Sequence, residues 1–172
     1  MALSTPTQVK TFRGIAELYY VTTAGELEVE TEHLIAAGKG TVTRSFSVDK
    51  HVSMAGASFG TLRSDLTEVG EEIKIETDQI SDNIICIAYG LALETDPSTA
   101  TAVANTMTTV TNLRLKFFDL KDTTTPKFIR DGFTGVLTLD GDISMGKDGV
   151  STVTIKADVE SVFGNVQTYA PA

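Results

Sequence analysis

The sequence predicts a mainly β protein: an antiparallel β-sandwich or barrel-like domain with one flanking α-helix and a long inter-strand loop. Three observations predict it. Residues 150–163 place Ser151, Val153, Ile155, Ala157, Val159, Ser161 and Phe163 at odd positions, against Val150, Thr152, Thr154, Lys156, Asp158, Glu160 and Val162 at even ones. That is the period of two of a strand with one face buried. The same period returns in Leu137, Leu139, Ile143 and Met145 against Thr138, Asp140, Asp142 and Ser144, and in Val42, Phe46, Val48 and Val52 against Thr41, Thr43, Ser45 and Ser47. Between the last two strands, Gly146-Lys147-Asp148-Gly149 supplies the Asp-Gly pair of a tight hairpin, where positive φ is tolerated.

The strands expected along the chain are 11–22, 26–31, 40–52, 71–78, 108–120, 127–145 and 149–163. Asp131-Gly132 interrupts the sixth as a turn or a bulge. One helix is expected from Ser81, which can cap the orphan N–H groups of a first turn, and from Asp82, favourably placed at the positive end of the helix dipole. Ile84, Ile85, Ala88 and Leu91 recur on one side of it, and Gly90 supplies a stop. Residues 94–106, with Pro97 and many Thr and Ala, read as a loop or a short uneven helix.

Residues 53–70 form an overlong connection carrying Met54, Phe59, Leu62, Leu66 and Val69. A loop of this length inside one domain is usually functional or disordered, and its large apolar side chains argue against disorder. They pack either on their own domain or on a neighbour.

At 172 residues the chain fits a single domain, which buries roughly 70% of the surface of its unfolded chain and needs no disulfide or metal to hold it. Residues 1–10 read as a flexible polar N-terminal arm and 164–172 as a C-terminal tail. Cys86 is the only cysteine, a small apolar core residue by default, and fits a reducing site of synthesis. The first ten residues lack a secretory pattern, no apolar run reaches a membrane span, and no Asn-x-Ser/Thr acceptor occurs. A soluble chain retained where it is made is expected, with no membrane partner.

Formal charge is −9, and the acids cluster. Residues 17–32 hold Glu17, Glu26, Glu28, Glu30 and Glu32 without a Lys or Arg, and 65–82 hold seven acids against Lys74. Such a surface keeps a β protein soluble and also repels phosphate backbones.

Catalytic patterns fail on inspection. Gly56-Ala57-Ser58-Phe59-Gly60 matches a nucleophile elbow, but His33 and His51 both precede the serine, and the elbow needs a parallel α/β sheet. Glu30, Glu32 and His33 are an ordinary solvated edge before they are a metal site, and Asp140 with Asp142 lacks Ca²⁺-loop spacing. No enzyme, metal or cofactor is expected.

In order, the elements resemble those of the major tail tube proteins of long-tailed bacteriophages, over about 11–167. Gly14-Ile15-Ala16-Glu17-Leu18-Tyr19-Tyr20-Val21 is similar to that family's opening strand, and Arg44-Ser45-Phe46-Ser47-Val48-Asp49-Lys50-His51 to its lead into a long loop. Glu72-Ile73-Lys74-Ile75-Glu76-Thr77-Asp78-Gln79-Ile80-Ser81-Asp82-Asn83 is similar to its strand and capped helix, and the run to Phe163-Gly164-Asn165 to its closing hairpin. The resemblance implies six-fold rings stacked into a helical tube, the conduit for DNA during ejection, in a virion tail. Its partners would be copies of itself and the tape-measure, terminator and baseplate or tip proteins, with DNA only as passing cargo. Met54, Phe59, Leu62 and Leu66 become inter-subunit anchors. Glu72, Glu76, Asp158 and Glu160, on polar strand faces, become candidate lumen-facing acids. Open sheet rims would be completed by copies of the chain. The alternatives are a β-sandwich binding or decoration module of a virion, and an esterase using Ser58.

Overall fold

The structure, a computed structural model, describes residues 14–53, 60–94, 96–99, 101, 107–141, 143, 152–160 and 165–168, with 46–53, 60–69 and 165–168 described through their backbone. The elements are β1 (Gly14–Ala24), β2 (Val29–Ser53), β3 (Gly60–Thr77), α1 (Asp82–Ala88), β4 (Thr108–Asp119), β5 (Asp122–Leu139), β6 (Val153–Val159) and β7 (Asn165–Thr168). The strands run β4-β1-β2-β3-β6-β5-β7, and a further β4–β5 pairing closes the first six into a barrel. Every pairing is antiparallel. β6 and β7 lie end to end along one edge of β5, facing 135–139 and 128–131 respectively.

The mainly β class stands, but the rims expected to be open are joined by the chain's own β4–β5 ladder. Alternation is sharpest in β6: Val153, Ile155 and Ala157 are buried while Thr154, Lys156 and Asp158 face outward. With Leu18, Ile35, Ile73, Ile75, Leu113, Leu115, Phe133 and Leu137 they fill the barrel. Each fully buried Ile or Leu contributes about 1.5–3 kcal/mol relative to exposure.

Several expected boundaries change, for identifiable reasons. Residues 29–31 of the expected 26–31 segment and all of 40–52 belong to one 25-residue strand, preceded by a turn at 25–28. A register shift at Leu18/Tyr19 puts Ile35 and Ala36 both in the core, which breaks the period of two and hides the strand. Residues 60–70 are strand, so the connection read as 53–70 is largely the start of β3. Two bulges there, with Thr67 and Leu62 as the extra residues, blur its pattern too. Val42 is 40% exposed although it shares its face with buried Ile73, because it lies where β2 leaves the barrel. At Asp131-Gly132 the strand continues through a bulge, with Gly132 at φ +67 and, on β4, Asn112 at +58. The tail read as 164–172 contains β7. The Gly146–Gly149 turn lies outside the described residues, as do 1–10 and Ser58.

β2 changes partner abruptly, from β1 up to Gly38 to β3 from Lys39. Glycines permit that crossing. A Cβ on Gly38 would sit 2.0 Å from the Glu76 carbonyl oxygen, and one on Gly40 2.2 Å from Ala16 Cβ.

The edge of β2 left bare upstream of Lys39 is patched by the start of α1. Ser81 Oγ donates to the Ile35 carbonyl (3.0 Å) and Asn83 Nδ2 to that of Leu34 (3.1 Å). Ser81 also accepts from Ile84 N, as its capping role requires. At the other end Gly90 N and Leu91 N donate to the carbonyls of Ile87 and Cys86, the paired bonds of a Schellman stop. The helix buries Asn83, Ile84, Cys86 and Ile87, while Ile85 and Ala88 are only half-buried, so the buried face is turned from the expected one.

Candidate assembly interface

Beyond Ser45 and Gly70 the β2–β3 hairpin leaves the barrel as a two-stranded ribbon. Its ladder runs from Phe46↔Val69 to Ser53↔Gly60, eight pairs spanning about 23 Å at roughly 3.3 Å per residue. Among the described residues β1 stops pairing with β2 at Gly38, and β6 with β3 at Glu72, so both outer edges of the ribbon lack a partner. An isolated two-stranded ribbon is at best marginally stable in water, and its bare edges offer a template for further strands.

In the ribbon Phe46 pairs with Val69, Ser47 with Glu68, Val48 with Leu66 and Asp49 with Asp65. Of the anchors expected from sequence, Leu66 lies opposite Val48, Leu62 is the extra residue of a bulge, and Met54 and Phe59 lie outside the described residues.

The expected lumen acids share the outer surface of β2, β3, β6 and β5. Glu72 lies directly opposite Asp158, Lys74 opposite Lys156, and Glu76 opposite Thr154, with Lys39 across from Glu76 on β2. Glu160 is just past β6, its N–H donating to the Thr134 carbonyl. Like charges face each other across strands, which is unfavourable by itself, but they are compensated along the diagonals. Lys156 Nζ reaches Glu72 (3.0 Å) and Asp158 (3.1 Å), and Lys74 Nζ reaches Asp140 (2.5 Å) and Glu72 (3.4 Å). The hydrogen bond from Lys156 holds the Glu72 carboxyl below its ordinary range, and that from Lys74 does the same for Asp140. The lysines, which a count of acids alone passes over, are thus each shared by two carboxylates on a surface that stays acidic.

Glu30, Glu32 and His33 have partners other than a metal. Arg114, its side chain 13% exposed, donates to Asp131 (2.8 and 2.6 Å), Glu32 (2.7 Å) and Glu30 (2.9 Å), stapling β2, β4 and β5. Lys116 also donates to Glu32 and lies 4.8 Å from the Tyr19 ring centre. Burial opposes ionisation of Glu32, but the hydrogen bonds from Lys116 and Arg114 outweigh it and lower its pKa. Burial, then the hydrogen bond to Glu17, raises that of the Tyr19 hydroxyl. His33 stacks on Tyr20 and contacts Thr22 Oγ1 (3.0 Å) and Glu94 (3.4 Å).

These features define a class: a six-stranded antiparallel barrel, flanked by a short helix, from whose wall one hairpin extends with both outer edges unpaired among the described residues. No family model matches the chain, and no curated protein matches it. Among solved structures it is similar in fold to a chain of the anti-feeding prophage (AFP) baseplate, determined by cryo-EM and six-fold symmetrised. The TM-score is 0.51 at 13% identity, over 95% of this chain and 98% of that one.

Proposed function

We propose that this chain is a structural, non-enzymatic subunit of a phage-type tail, which assembles with copies of itself into six-fold rings stacked as a tube. The ribbon carries the reading: about 23 Å of paired strand, with both outer edges unpaired among the described residues, offers backbone groups that a strand of another chain can complete. A closed barrel cannot offer its own wall to a neighbour, so among the described residues the ribbon and the outer edge of β7 are the edges on offer. The fold likeness to a chain of a six-fold symmetrised prophage baseplate supports a tail-associated role among copies arranged around an axis. The acidic outer surface with Glu72, Glu76, Asp158 and Glu160 suits a lumen along which DNA slides without adhering, its lysines already satisfied by carboxylates. Tape-measure, terminator and baseplate or tip proteins are the partners this role implies.

Negative-stain microscopy of the purified protein tests the proposal, with hollow tubes or rings of uniform width expected. Excising 46–69 and joining Ser45 to Gly70 through Asn-Gly should leave a folded barrel that forms neither. Persistent monomers of the intact chain would favour the decoration module, and normal tubes from the excised chain would refute the arm.

A further inference from the structure

At the root of the ribbon the strand pairing among the described residues is interrupted. β6 pairs with β3 only from Glu72 onward and with β5 only from Gly135 onward, while β7 pairs with β5 at 128–131 and not with β3. Between Glu71 of β3 and Arg130 of β5 no described strand supplies backbone hydrogen bonds. Side chains span that interruption. Glu71 and Arg130 are 6% and 4% exposed and form an ion pair, and Arg44, across from Glu71 on β2, reaches its other carboxylate oxygen at 3.1 Å. The Arg130 guanidinium packs 4.9 Å from the Phe133 ring centre, in the core.

We propose that Glu71, gripped between Arg44 and Arg130, is a positioning residue that fixes the direction of the β2–β3 ribbon relative to the barrel. An apolar pair of similar volume would serve stability equally well, since desolvation cancels much of the attraction in a buried ion pair. What an apolar pair does not supply is direction. Arg130 Nη1 holds one carboxylate oxygen of Glu71 and Arg44 Nε the other, so the carboxylate is fixed from two sides, and it is on the strand that becomes the ribbon. Burial, with the nearby charge of Arg44, lowers the Arg130 pKa, as expected when two guanidiniums crowd one carboxylate.

The test reads the ribbon's direction in dispersed single chains, so it is independent of whether tubes form. Spin labels at Ser53→Cys near the ribbon tip and Lys121→Cys in the β4–β5 turn report their separation by pulsed dipolar spectroscopy; Cys86, fully buried, stays unlabelled. A single narrow distance is expected for the otherwise unmodified chain. The Glu71→Leu/Arg130→Met pair should keep the barrel's circular dichroism and at least double the width of the distribution. Arg44→Gln, at a side chain 60% exposed, leaves the buried pair in place and should broaden it less; it decides the matter alone if the double variant fails to fold. A broad distribution in the unmodified chain, or an unchanged width in the folded variants, would overturn the proposal.

Discussion

Ile155 offers the sharpest test of the barrel core. It is 1% exposed, flanked on β6 by buried Val153 and Ala157, and lies opposite Ile75 on one side and Leu139 on the other. Truncating it to Ala removes three carbons from a site walled by neighbouring strands, so little collapse is possible; such changes cost about 2–5 kcal/mol. At roughly 2–4 °C per kcal/mol for a chain of this size, melting should fall by about 4–20 °C. Ile155→Asp is harsher, because an unpaired carboxylate in the core costs several kcal/mol against a total stability of about 5–15. The sign with pH follows: burial raises the folded-state pKa of the introduced carboxyl above its unfolded value of about 3.9. The penalty is therefore smallest below that unfolded value and grows as pH rises through the folded pKa. Urea unfolding from pH 3 to 7, compared with the parent at each pH, should show a gap in midpoint that widens with pH. A difference under about 1 kcal/mol at pH 7 would refute the inward placement of the odd positions of β6.

Lys156→Asn, at the outward neighbour, is the matching control and should stay within about 0.5–1 kcal/mol of the parent by urea unfolding. Gly38→Ala should destabilise by about 1–3 kcal/mol or block folding, since its Cβ would sit 2.0 Å from a backbone oxygen; soluble yield and melting temperature check this. Arg114→Gln should weaken the sheet at pH 7 by removing a partner from Glu30, Glu32 and Asp131. Because the folded-state pKa of Glu32 is depressed, its share of stability is present above the unfolded carboxyl value and lost as pH falls through the folded one; parent and variant should converge on acidification in paired urea titrations. Ser81→Ala should cost about 0.5–2 kcal/mol in thermal unfolding, through loss of the cap on Ile84 N and of the bond to the Ile35 carbonyl.

The sequence by itself determined the mainly β class, the inward faces of β6 and of the upper part of β5, and the cap and stop of the helix at Ser81 and Gly90. These are written locally, in side-chain period and in residues that satisfy orphan backbone groups. Where two adjacent residues are both buried, as at Ile35 and Ala36, or where bulges fall at Leu62 and Thr67, the period breaks and a 25-residue strand and its long partner read as fragments and a loop. The closure of β4 on β5, the sharing of Arg114 among acids 17 to 84 residues away, and the Glu71–Arg130 pair were decided only by tertiary structure. Pairing partners across such separations depend on which edges the folded wall leaves adjacent, and neighbours in sequence carry no record of that. Of the apolar residues expected as anchors, Leu62 and Leu66 lie on β3, and that this part of β3 projects follows from where β1 and β6 stop pairing.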